Sequence, residues 1–154
     1  MSFVLRLQHG FVGHSLASRR RAFSAARAGS AAVEFAIIGP ILLLLILGIY
    51  VYGGYFLTAH TVQQIANDAA RASIAGLDDS ERTSLARQSL QASLSDQTAM
   101  RGELASVNVT RNGPMLAVNV TYDARDDLYW AFSSLVPAPS PIITRTATVR
   151  LGGF

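Results

Sequence analysis

Few residues of this chain are placed to do chemistry, and Glu34 stands out among them. It lies in Gly29-Ser30-Ala31-Ala32-Val33-Glu34-Phe35, at the mouth of an apolar run that holds no charged residue from Phe35 to Leu57. A carboxylate beside a lipid-length segment is costly to bury, and residues kept there tend to be functional. Its chemistry would be pairing with a cation, since no partner for acid–base work stands near it in sequence. After Gly29 the chain has one histidine, His60. A Ser-His-Asp triad would have to use it, and nothing around it resembles a nucleophile elbow, so it reads as an interfacial side chain. Asp123, Asp126 and Asp127 could offer oxygens to calcium, but their spacing matches no EF-hand loop, and they read as a solvated turn. The chain has no cysteine, which excludes disulfides, thiolate metal sites and a cysteine nucleophile. No phosphate-binding glycine loop is present. An enzyme is not expected, nor is a catalytic residue, a cofactor, a metal or a small-molecule substrate.

The elements that hold Glu34 follow from charge and hydropathy. Half of the 154 residues are hydrophobic and 15% are charged, a greasy composition whose excess is concentrated in residues 35–57. The net charge of +3 is equally local. Arg6, Arg19, Arg20, Arg21 and Arg27 precede Gly29 with no acid among them, whereas eight Arg face ten Asp and Glu beyond it. The distal part therefore offers no basic face for nucleic acid. Residues 1–29 could pass for an organelle transit peptide when taken alone, but they fit a bacterial export leader better. Arg19-Arg20-Arg21 could be a twin-arginine signal, but it is read in preference as a positive-inside anchor.

Phe35–Leu57 spans 23 residues, about 35 Å as helix, enough to cross a bilayer. Tyr50, Tyr52, Tyr55 and Phe56 gather at its far end as an interfacial aromatic belt would. With the arginines behind it, the N-terminus is expected in the cytoplasm. Gly39-Pro40 should kink the helix near Phe35–Ala36. Gly48, Gly53 and Gly54 leave smooth patches where another helix could approach, or are glycines simply tolerated in lipid.

The fold class expected is α+β. A helix from about Ser30 to Ala75 continues beyond the membrane, with Val62, Ile65, Ala66, Ala69 and Ser73 on one face and Gly76 as a C-cap. A second helix is capped by Asp78 or Asp79, with Glu81 as capping-box partner and Leu85, Leu90 and Leu94 on its apolar face. Val107-Asn108-Val109-Thr110 and Val118-Asn119-Val120-Thr121 read as strands around an Asn112-Gly113 turn. Their Asn-Val-Thr triplets match the glycosylation sequon by chance. Asp126–Phe132 suggests a short aromatic turn docked on the sheet. Pro137, Pro139 and Pro141 form an extended connector. Residues 143–151 alternate as a last strand, antiparallel to the hairpin. Three parts result: a basic leader at 1–29, a long helix at 30–76 and a small α+β domain at 77–154. The domain's thin core needs the long helix as one wall.

Glycine, four small or apolar residues, then glutamate and an aromatic resembles the processing site of type IV prepilins. More narrowly, Gly29-Ser-Ala-Ala-Val-Glu34-Phe35-Ala36 followed by Pro40 and a leucine-rich run resembles the TadE-like family, minor pseudopilins of the tight-adherence (Flp) pilus system. The end, Thr146-Ala-Thr-Val-Arg150-Leu, is also similar to such proteins. The resemblance is specific over about residues 25–60. Phe35 stands where many members carry Tyr, and major Flp pilins are far shorter than this chain.

The resemblance implies cleavage after Gly29 by a membrane prepilin peptidase, leaving Ser30 as the mature N-terminus and Glu34 as the fifth mature residue. It implies a structural subunit of the bacterial inner membrane, single-pass, with its C-terminal part periplasmic or extracellular and possible entry into a pilus. The partners implied are the peptidase, other pilins or pseudopilins and the inner-membrane assembly platform. Physically, small residues at Ser30, Ala31 and Ala32 let a protease reach the backbone. The cut would remove five positive charges and create an ammonium that the Glu34 of a neighbour could pair with, setting subunit register. The alternative is an uncleaved single-pass anchor whose outer domain binds a partner.

Overall fold

The computed structural model describes residues 15–95 and 100–152, with side chains from residue 30 onward. Arg6 lies outside the described residues, and the side chains of Arg19, Arg20, Arg21 and Arg27 are likewise outside them. Two compact units divide the chain, 1–43 and 44–154. Helix α1 is Ser15–Ser73 and contains Pro40 without interruption of the assigned helix. Helix α2 is Asp79–Ser95. Strands β1 (Ala105–Asn112), β2 (Met115–Asp123) and β3 (Ile142–Arg150) form an antiparallel sheet in the order β1-β2-β3. The class is α+β, as the sequence predicts.

In the second unit the core forms where the apolar periodicities meet. Along α1, Val51, Ala59, Val62, Ile65, Ala66, Ala69, Ala70 and Ser73 are buried, a stripe at helical spacing. The central strand β2 alternates strictly, burying Leu116, Val118, Val120 and Tyr122. Ile143 and Ala147 of β3 join the same cluster. The long helix thus supplies a wall of the core. Gln63 of α1 also donates to the Thr146 carbonyl of β3 at 3.3 Å. Helix α2 lies over β1 and buries Ala86, Leu90 and Leu94, with Leu85 only half-buried. The opposite sheet face is polar, with Thr121 and Thr144 hydroxyls 3.1 Å apart and the Thr146 hydroxyl donating to Asn119.

The connections are chemically specific. Asp78 caps α2 by accepting from the Glu81 N–H at 2.8 Å. Glu81 returns the bond to the Leu77 N–H, also at 2.8 Å, one residue earlier than the usual capping box. Gly76 is needed for closeness, since a Cβ there would stand 2.7 Å from the backbone nitrogen of Arg82. Ser73, fully buried, lies 2.7 Å from the Ala69 carbonyl and 3.2 Å from that of Arg82, tying the end of α1 to α2. In the hairpin Asn112 pairs with Met115, so Gly113-Pro114 are the central residues rather than Asn112-Gly113. Gly113 takes φ +58°, and proline holds the next φ negative, the pattern of a type II′ turn.

Candidate processing and assembly site

The Glu34 region is a stretch of exposed helix. Ser30 and Glu34 are one turn apart, and the Ser30 hydroxyl donates to Glu34 Oε1 at 3.3 Å. Val33 and Phe35 beside it are 62% and 74% exposed, and Glu34 is itself exposed among the described residues. The Phe35 ring lies beside Gly39, one turn farther along the helix, where a Cβ would be 3.5 Å from it. Pro40 follows, exposed, within the helix. Ser30 with Glu34, and Phe35 with Gly39, are thereby brought together as neighbouring pairs. Gly29 is in the same helix, outside the described side chains. The window upstream of the buried stripe has a mean hydropathy of 2.6, and this is the one helix among the described residues long and apolar enough to cross a membrane. Ile37, Ile38 and Ile41–Ile46 are all exposed, so their cover must come from lipid or from other helices.

Farther along, within the second unit, lies an arrangement that the sequence reading missed. The residues Leu128–Phe132 form a short 3-10 helix that docks on α1. The Tyr129 ring lies so close to Gly54 that a Cβ there would be 2.5 Å from Tyr129 Cγ. Phe132 meets Tyr50 edge-on, with centroids 5.8 Å apart. A Cβ on Gly48 would touch Val136 at 3.9 Å, whereas Gly53 has no neighbour within 4 Å. Gly54 is therefore occupied by the chain's own aromatic segment. The Gly53-Gly54 pair was the available signal, but both glycines look alike in sequence.

Asp127 begins that segment without capping it. Its Oδ1 accepts the Tyr122 hydroxyl at 2.7 Å, anchoring the segment to the end of β2. Burial, and then the hydrogen bond to Asp127, raise the Tyr122 hydroxyl pKa. Burial pushes Tyr129 up to about 12, with Thr58 and Asp127 as its polar neighbours. Above pH 10 an unfolded chain would ionise both tyrosines while the fold keeps them protonated. The unfolded state then binds fewer protons, so stability falls as pH rises from 10 towards 12, by at most about 1.4 kcal/mol per pH unit for each tyrosine. Alkaline unfolding followed by Trp130 fluorescence should show this slope, and Tyr129→Phe should halve it.

The other candidates have local partners. His60 is exposed, 3.4 Å from Gln64. Asp123 accepts from the Arg125 N–H at 3.1 Å, and Asp126 pairs with Arg101 at 3.4 Å. With Asp127 held by Tyr122, the three carboxylates are each engaged separately. Among the described residues no group of three His, Cys, Asp or Glu is placed to hold a metal ion.

No curated protein and no solved structure matches this chain. One family model does match, that described as TadE-like protein, over residues 29–71. The match opens at the glycine before Ser30 and runs almost to the end of α1, so the similarity to TadE-like proteins lies in this stretch.

Proposed function

We propose that the chain is a minor pseudopilin, a structural component of a Flp-type (Tad) pilus or a related secretion apparatus. The observation that carries this is the TadE-like match, whose first residue is the glycine of the candidate cut. In this reading a prepilin peptidase cleaves between Gly29 and Ser30 on the cytoplasmic side of the bacterial inner membrane. Helix α1 holds the mature chain there, single-pass, with the second unit periplasmic or extracellular. The chain is a subunit and not an enzyme. Its partners are other pilins or pseudopilins and the inner-membrane assembly platform.

The geometry supplies the parts that this sequence of events needs. Helix α1 runs through the Gly29–Ser30 bond, so the peptidase must unwind that turn before cutting. Gly29 lowers the cost of unwinding the turn, and the small side chains of Ser30, Ala31 and Ala32 leave the backbone open to approach. The new ammonium then lies one turn from Glu34, whose exposed carboxylate is free to face a neighbouring subunit. An ion pair between subunits in an apolar setting is favourable only when both charges are matched, which is what gives it register.

Mass spectrometry of the chain recovered from membranes tests the reading. A mature N-terminus at Ser30 is expected, and Gly29→Leu should leave the leader attached. An intact leader on the natural chain would favour an uncleaved single-pass anchor whose outer domain binds a partner.

A further inference from the structure

We infer that residues 128–136 are a second membrane-contacting element, lying in the distal lipid interface beside α1 and receiving lipid on Leu128 and Leu135. The inference rests on α1 crossing a bilayer and not on the pilus reading. Its starting point is how far along α1 the chain covers itself. Val51 is fully buried, Val136 faces Gly48, and Phe132 meets Tyr50. The uncharged sequence ahead of Gly48 is Phe35–Leu47, about 20 Å as helix, against a hydrocarbon core of about 30 Å. Tilting the helix only lengthens the stretch required. Either Glu34 is drawn well inside the hydrocarbon with Arg27 at its edge, or lipid extends past Gly48 and meets residues 128–136. The second arrangement buries no charge.

The segment is built for that setting. From Leu128 to Thr144 the sequence contains no charged residue. Leu128 is 76% exposed and Leu135 62%, on a stretch that buries Tyr129 and Val136 and leaves Trp130 and Phe132 half-buried. Several of the backbone donors, which lipid cannot satisfy, have partners within the chain. The N–H groups of Trp130, Ser133, Leu135 and Val136 bond to carbonyls within the segment or to Asp127 just before it. Pro137, Pro139 and Pro141 have none to offer. A groove of about 670 Å³ continues the apolar surface between Ile49, Tyr50 and Leu57 of α1 and Leu128, with Arg101 and Asp126 on its lining. Tyrosines with charges at the rim and leucines facing out are the composition of a lipid interface.

The chain has no cysteine, so single labels are clean. The full chain would carry an environment-sensitive fluorophore at Leu128→Cys, Leu135→Cys, Leu44→Cys or Thr110→Cys, the last near the hairpin tip. Each variant would be reconstituted into phosphatidylcholine–phosphatidylglycerol vesicles. Labels at 128 and 135 should be quenched by lipids bearing a doxyl group near the headgroup, and roughly threefold less by aqueous iodide than the label at 110. If they behave like position 110 while the label at 44 responds to doxyl lipid, the inference is overturned with the span intact. If the label at 44 also responds only to iodide, the membrane reading fails and takes the inference with it.

Discussion

Gly54→Leu will detach the aromatic segment from α1 and destabilise the second unit by about 3 kcal/mol or more, the upper range for overpacking a filled site. Even a Cβ would stand 2.5 Å from Tyr129 Cγ and 2.8 Å from Tyr129 Cβ, distances that no rotamer change relieves because the ring is anchored at its base. Tyr129 belongs to the same cluster as Val62, Ile65 and Tyr122, so its displacement opens that core. A small domain has on the order of 5 kcal/mol of stability in all, and the expected shift is a melting temperature lower by about 10 °C or more. Trp130 is the sole tryptophan and lies 6.4 Å from Tyr129 by ring centroids, so its fluorescence in a detergent-solubilised chain reports the event. Gly53→Leu is the matched control. With no neighbour within 4 Å, it should leave the melting temperature unchanged or slightly raised. Equal effects at the two positions would show that Tyr129 does not dock as described.

Glu34→Ala should lower incorporation into filaments by roughly tenfold or more, since losing even 1.4 kcal/mol of subunit pairing is sufficient for that. The residue is exposed in the single chain, and its hydrogen bond to Ser30 is an ordinary surface contact, so the fold should be untouched. The loss should appear in the ratio of sheared filament to membrane-bound protein on an immunoblot, with the mature N-terminus followed in the same samples. Glu34→Gln keeps size and hydrogen bonding while removing the charge, and should behave like the alanine variant if pairing with the Ser30 ammonium sets register. Normal cleavage together with normal assembly in Glu34→Ala would remove Glu34 from that role.

Much of this architecture is legible in the residues because it depends on near neighbours. Periodicity of 2 in residues 107–123 and 143–150 specifies the strands, and the Gly113 neighbourhood specifies their hairpin. Asp78 and Glu81 mark the start of α2 because a cap is satisfied within four residues. The turn was displaced by one residue because Asn112 still pairs with Met115, a choice made by strand register rather than by dipeptide preference. The aromatic segment was expected on the sheet, but docks on α1 through Tyr129 and Phe132. Its amphipathic signal identified a surface-seeking turn without saying which surface.

The sequence by itself determined the uncharged membrane-length run, the isolated carboxylate at its mouth, the basic stretch behind it and the order of helices and strands. Each is a matter of composition or of spacing along one element. Only the tertiary structure decided that Gly54, and not Gly53, receives an aromatic ring, that Asp127 serves Tyr122 and not its own helix, and that the chain covers α1 from Gly48 onward. Those outcomes join residues some 75 to 90 positions apart on α1 and the aromatic segment, or link the end of β2 to a turn whose direction the sheet sets. Side-chain shape and available space select such partners, and neither is written in the spacing of residues along the chain.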